Sequence, residues 1–170
     1  MPPTKPAKNP DRLRREIVVQ LEDFPRQLEL LEAGMEAFGE DFDLKPFKLA
    51  FDGKAGIDRS LQVQAVERSF TRIQNYIAQL AQNGTRLAGL DLPKIHTGAA
   101  ARSFEALKAA GVIDARTCRR LKQTQETRSA IEHEYLQMNA GRLHTAIALL
   151  AETARDFIVP FAAWIEPYLS

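Results

Sequence analysis

Residues 17–38 read IVVQLEDFPRQLELLEAGMEAF. Within them Ile17, Leu21, Phe24, Leu28, Leu31, Met35 and Phe38 recur at alternating steps of four and three. That spacing lays one apolar stripe along a 3.6-residue helix. The stripe predicts a helix from about Asp11 to Phe38, with Pro25 kinking or interrupting it locally and Gly39 as its stop. The same rhythm returns in Val66, Phe70, Ile73, Ile77 and Leu80, in a helix that Asp58 can cap and that Asn83-Gly84 would end. It returns again in Leu143, Ile147, Leu150, Ala154, Phe157, Phe161, Trp164 and Tyr168, where Pro160 should introduce a kink. No stretch alternates with the two-residue period of a strand.

The segments between these stripes complete the pattern. From Glu40 to Ile57, aspartates, Pro46, Gly53 and Gly56 punctuate Phe42, Leu44, Phe47, Leu49 and Phe51. This reads as a connection whose aromatics lie on the bundle. Residues 85–96 form a loop carrying Pro93. Thr97 is a good N-cap for a short helix through Ala110, with Phe104 and Leu107 inward and Gly111 as its end. Asp114 caps a fourth long helix running to about Met138, and Asn139-Ala140-Gly141 breaks the chain before the last one. The fold class expected is all-α: an antiparallel helical bundle of four long helices plus a short inserted helix. Residues 11–170 form its single domain. Residues 1–10, with four prolines and no periodicity, read as a disordered tail.

Composition is that of an ordinary soluble chain, 45 % hydrophobic and 26 % charged with net charge +1. Whole-molecule charge therefore does not point to nucleic acid, but its distribution is uneven. Acids dominate from Glu16 to Asp43, and bases dominate from Arg102 to Arg128. Arg116, Arg119, Arg120 and Lys122 would form a patch able to attract a phosphate backbone, or an ordinary solvated helix face. Cys118 is the sole cysteine, which excludes an internal disulfide and suits a reducing compartment. With no signal-peptide core at the N-terminus and no apolar run of spanning length, a cytoplasmic location and no membrane are expected.

The fourth helix departs from the rule of the others. Its expected seam is Leu121, Thr124, Arg128, Ile131, Tyr135 and Met138, so an arginine and a tyrosine occupy core-facing places. Burying Arg128 unpaired would be costly. Either an acid such as Glu132 pairs with it, or the seam opens into a groove. His133 stands about 140° round an ideal helix from Arg128. A bulge or a facing second subunit would be needed to bring both to one phosphate. Metal binding fits poorly. An H-E-x-x-H site would require a second histidine where Gln137 stands, and neither His96 nor His144 is placed to be a ligand. Gly53-Lys54-Ala55-Gly56 lacks the spacing of a phosphate-cradling loop, so neither a metal nor another cofactor is expected.

Arg128-Ser129-Ala130-Ile131-Glu132-His133-Glu134-Tyr135 has the form R-x-x-x-x-H-x-Y. It resembles the signature of HepT-like toxins, small ribonucleases of the HEPN superfamily. The likeness extends over roughly Ile57 to Trp164, through Ser103-Phe104-Glu105-Ala106-Leu107-Lys108 and Gly111-Val112-Ile113. The resemblance implies a metal-independent endoribonuclease acting as a homodimer, with RNA as substrate. It also implies a minimal nucleotidyltransferase antitoxin as partner. By matching positions, Arg128 and His133 would be catalytic, and Tyr135 would be the residue that the partner blocks by adenylylation. The residue after the arginine is usually Asn or another polar group; here it is Ser129, which donates and accepts over a shorter reach. That departure leaves a second reading open, a catalytically silent HEPN module that presents nucleotide or substrate to the nucleotidyltransferase.

Overall fold

The first apolar stripe does become a helix. In the computed structural model, which describes residues 9–95, 98–134 and 138–170, α1 spans Pro10–Glu36. Asn9 caps it, its Oδ1 accepting from the Arg12 amide at 3.3 Å, and Pro10 fills the first turn, where a missing N–H costs nothing. Ile17, Phe24, Leu28, Leu31 and Phe38 are buried, with Leu21 and Met35 packed partly against them. Pro25 does not interrupt the helix. It lies on the exposed side, where water can satisfy the carbonyl that its ring leaves without a donor. The tail expected over residues 1–10 gives up Asn9 and Pro10 to the helix start, and its other residues lie outside the described ones.

The segment read as a plain connection contains a helix of its own, α2 (Leu44–Phe51). Phe42 and Phe47 are buried and Phe51 partly so, while Leu44 and Leu49 remain exposed. Phe38, Phe42 and Phe47 meet edge to face at 5.2–6.3 Å, a favoured aromatic geometry. Aromatic packing thus anchors a helix of eight residues, too short for its stripe to stand out in the sequence.

α3 spans Ile57–Leu87, with Gly56 rather than Asp58 at its N-cap. Asn83-Gly84 does not end it. Both residues are buried inside the helix, and the stop is Gly89 at φ 65°. There the Leu90 amide donates to Thr85 O at 2.9 Å and the Gly89 amide to Arg86 O at 3.2 Å, the Schellman pattern. Gly84 is needed for a different reason: a Cβ there would stand 2.8 Å from the Phe161 ring. Gly34 plays the same part between α1 and α3, where a Cβ would stand 2.7 Å from Val66 Cγ2.

α4 spans Ala99–Ala109 and stops at Gly111, as its sequence suggests; the expected cap, Thr97, lies outside the described residues. α5 spans Ala115–His133, with Asp114 Oδ1 accepting from the Thr117 amide at 2.6 Å. It ends earlier than expected, with Glu134 as its C-cap. α6 spans Ala140–Leu169 and is capped by Asn139, which accepts from the Arg142 amide at 2.8 Å.

The protein is all-α, a helical bundle. Among the described residues its four long helices carry two short ones rather than one. Cross-contacts run in opposite directions along neighbouring helices. Glu16 bonds Asn83, Asp23 bonds Tyr76 and Ala37 O accepts from Arg59, so α1 and α3 are antiparallel. Arg14 reaches Tyr168 O and Glu32 pairs with Arg155, so α1 and α6 are antiparallel too. One core draws on all six helices. No described helix is long and apolar enough to cross a membrane.

Candidate functional site

The weakly apolar α5 is positioned by polar groups. Its buried face is Thr117, Cys118, Leu121, Thr124, Thr127 and Ala130. The expected seam therefore holds for Leu121 and Thr124 and then shifts: Thr127 and Ala130 turn inward instead of Arg128, while Ile131 and Met138 are partly buried. Gln74, fully buried on α3, ties this face down. Its Oε1 accepts from Thr124 Oγ1 at 2.8 Å and its Nε2 donates to Gln125 Oε1 at 2.9 Å. Every hydrogen-bonded pair of this kind fixes rotation of α5 as well as its position, because a turned helix would leave the buried groups unmatched.

That rotation puts Arg128 at the border between core and solvent, where a groove of about 960 Å³ opens. α3 contributes Asn75, Gln79 and Gln82 to its wall, and α5 contributes Lys122, Gln125, Glu126, Arg128, Ser129 and His133. Glu134, Arg142 from the first turn of α6, and Gly98–Ala101 from the start of α4 complete it. Among the described residues no side chain caps α4, and its first turn brings the positive end of a helix to the groove. The lining is mixed in charge, with Glu126 and Glu134 among the bases.

Both alternatives raised for Arg128 occur together. It borders an open groove and also pairs with Glu132, its Nη2 lying 2.6 Å from Oε1. Its Nε is buried without an acceptor among the described residues. Glu132 Oε2 lies 3.9 Å from His133 Nε2. Arg128 and His133 thus flank one carboxylate, although 140° of ideal helix separates their Cα atoms. Long side chains span that angle, and His133, 77 % exposed at the last helical residue, is free to turn. Both residues line one groove, a looser condition than convergence on one phosphate. Tyr135 lies outside the described residues, as do Gln137 and His96.

Of the four bases expected to form a patch, Arg116, Arg119 and Arg120 stand at i, i+3 and i+4 on one outer face of α5, outside the groove lining, and Lys122 is turned away from them. Arg116 lines a separate cavity of about 600 Å³ between α5 and α6, with Arg155 and Asp156. Arg119 is exposed, and Arg120 faces Glu152 at 3.4 Å. Only Lys122 reaches the groove, and its Nζ is held 2.6 Å from Glu105 Oε1. The reason is angular: Arg116 and Lys122, six residues apart, stand about 120° apart round the helix. Arg142, not singled out from sequence, makes no ion pair among the described residues. Its signal was topological, since antiparallel helices joined by a short link place the first turn of α6 beside the last turn of α5.

Glu105 also meets Lys108 Nζ at 2.5 Å. The hydrogen bonds from Lys108 and Lys122 hold its carboxyl down at about 2. Burial, followed by the Glu105 charge, pushes the Cys118 thiol up to about 11, so it is an inert buried thiol at neutral pH. A depressed carboxyl stabilises the fold above its unfolded value and loses that contribution as pH falls through its folded one. Glu105→Gln is therefore expected to be less stable than the parent at neutral pH. The gap should close between about pH 4.5 and about pH 2, which thermal unfolding across that range will measure.

His144 is engaged in the fold. Its ring stacks on Phe42 at 4.3 Å and its Nε2 lies 2.5 Å from Phe42 O. Among the described residues no three His, Cys, Asp or Glu side chains converge as metal ligands would. No protein-family model, curated protein or solved structure matches this chain.

Proposed function

We propose that the chain is an endoribonuclease toxin of the HepT-like kind, cleaving RNA through Arg128 and His133 without a metal. One observation supports the reading: Arg128, Ser129 and His133 share a single groove with Arg142 and the positive end of α4. Cleavage requires a base to take the 2′-hydroxyl proton while that oxygen attacks the adjacent phosphorus. The 5′-oxygen then leaves with a proton, and a cyclic phosphate remains. Histidine suits either proton transfer. Arginine carries five N–H donors in a planar fork. With Nη2 committed to Glu132, Arg128 retains others for the non-bridging oxygens, whose charge grows in the transition state. Ser129 can hold a further oxygen. A homodimer would supply a second histidine, so that one acts as base and the other as acid. A nucleotidyltransferase partner adding adenylate to Tyr135 would block the groove by bulk and negative charge.

One feature favours the silent reading. Arg128 already has a carboxylate partner, and a site that binds without cleaving needs no free guanidinium.

Incubating the purified chain with single-stranded RNA in EDTA decides between them. The expected products end in a cyclic phosphate, and Arg128→Lys is expected to reduce their yield by at least about tenfold, because lysine keeps charge but loses the fork. Loss of activity on chelation, restored by a divalent ion, overturns the metal-free claim. Binding without cleavage selects the silent module, and full activity in Arg128→Lys assigns the arginine only a general electrostatic role.

A further inference from the structure

We propose that the groove continues over the outer face of α3 as a phosphate track, in which Arg68 and Arg72 grip the strand that enters or leaves the site. The inference rests on the reading of the groove as an RNA site and adds the path of the flanking strand.

Arg68, Arg72, Asn75 and Gln79 stand at steps of four, three and four, so they lie on one face of α3. Together they line a second cavity of about 270 Å³. Asn75 and Gln79 also belong to the wall of the main groove, which makes the two cavities one continuous surface. From Arg68 to Gln79 it covers about 16 Å of helix.

The chemistry along this path suits a phosphate backbone. Arg68 and Arg72 are exposed, and neither makes an ion pair among the described residues. They stand one turn apart, with Cβ atoms about 6 Å from each other, a spacing suited to consecutive phosphates of an extended strand. Of the acids beside them, Glu67 is partly buried, and Asp23 accepts from Tyr76 OH at 2.7 Å and from Gln27 Nε2 at 2.9 Å while its charge also faces Arg72. The amides of Asn75 and Gln79 then lead to Arg128 and Arg142, and α3 carries no carboxylate from Arg68 to its end at Leu87. By contrast, the bases of α5 nearest the motif are committed, Lys122 to Glu105 and Arg120 to Glu152.

The test compares two single-stranded RNA probes, a trinucleotide that fills only the groove and a dodecamer that extends beyond it. Affinities are measured for the full chain and for the double variant Arg68→Ala/Arg72→Ala, across a salt series. Dodecamer binding is expected to weaken by about tenfold, with the salt slope falling by about 1.4, the value for two lost phosphate contacts on a single strand. Trinucleotide binding should not change. An unchanged dodecamer affinity and slope overturn the track while leaving the groove intact; an equal loss for both probes also overturns the track, because it places the effect in the groove itself. If the parent binds neither probe, the reading of the groove fails and the track fails with it.

Discussion

His133→Ala is expected to lower RNA cleavage by about 10²- to 10⁴-fold, the usual worth of a positioned proton-transfer group, while the melting temperature stays at that of the parent. The two halves of this expectation come from different observations. The side chain is 77 % exposed and closes α5 rather than lying within it, so its removal leaves no cavity. The loss concerns chemistry alone, and alanine, the strongest helix former, suits the helix end. Cleavage rates and thermal unfolding on the same preparation check both halves. Parental activity in the folded variant would remove His133 from the mechanism. Growth arrest on expression, lost in the same variant, would tie the chemistry to toxicity.

The largest effect on stability is expected at Gly84. Gly84→Val should destabilise the protein by about 3 kcal/mol, the upper end of what overpacking a core costs. Its Cβ would lie 2.8 Å from Phe161 and 3.2 Å from Trp164, and Phe161 is fully buried, so its ring has no room to retreat. Gly84→Ala sets two effects against each other. Alanine gains about 1 kcal/mol of helix propensity, and the clash opposes it; the clash should win, because its contact is with rigid rings. Denaturant midpoints for both variants settle the order. A Gly84→Ala protein more stable than the parent would show that α6 can shift away from α3.

Gly84 also shows where sequence reading reached its limit. Asn-Gly is a strong local stop signal, yet close packing of two helices uses the same residue, and only the tertiary partner distinguishes the uses. The periodic stripes were legible because a large apolar face must be buried whatever it meets. This holds for Ile17 to Phe38 and for Val66 to Leu80. α2 was hidden because eight residues are too few for a period to declare itself. In the candidate site, Arg128 and His133 were legible as chemistry, while the groove they share was not, because its wall also comes from α3, α4 and α6. The basic cluster was legible only in part: helical rotation keeps Arg116, Arg119 and Arg120 on one face and turns Lys122 away, and acids on other helices pair with Arg120 and Lys122. Arg142 was invisible until the chain reversal between α5 and α6 brought it back.

Glu132 gives the groove a resident ligand. On the proposed reading, a phosphate arriving at Arg128 takes the donors that Glu132 leaves free and competes for Nη2 with a carboxylate 2.6 Å away that belongs to the same helix and cannot diffuse off. Exchange of one oxyanion for another at Nη2 yields little free energy, so a lone phosphate group or a mononucleotide gains less here than at an unpaired arginine. A polymer differs, because contacts elsewhere hold it in place while the exchange occurs, and each attached phosphate is presented at a high effective concentration. On the proposed reading, Glu132 is thus a valency filter: it leaves the site less responsive to small phosphorylated metabolites than to chains.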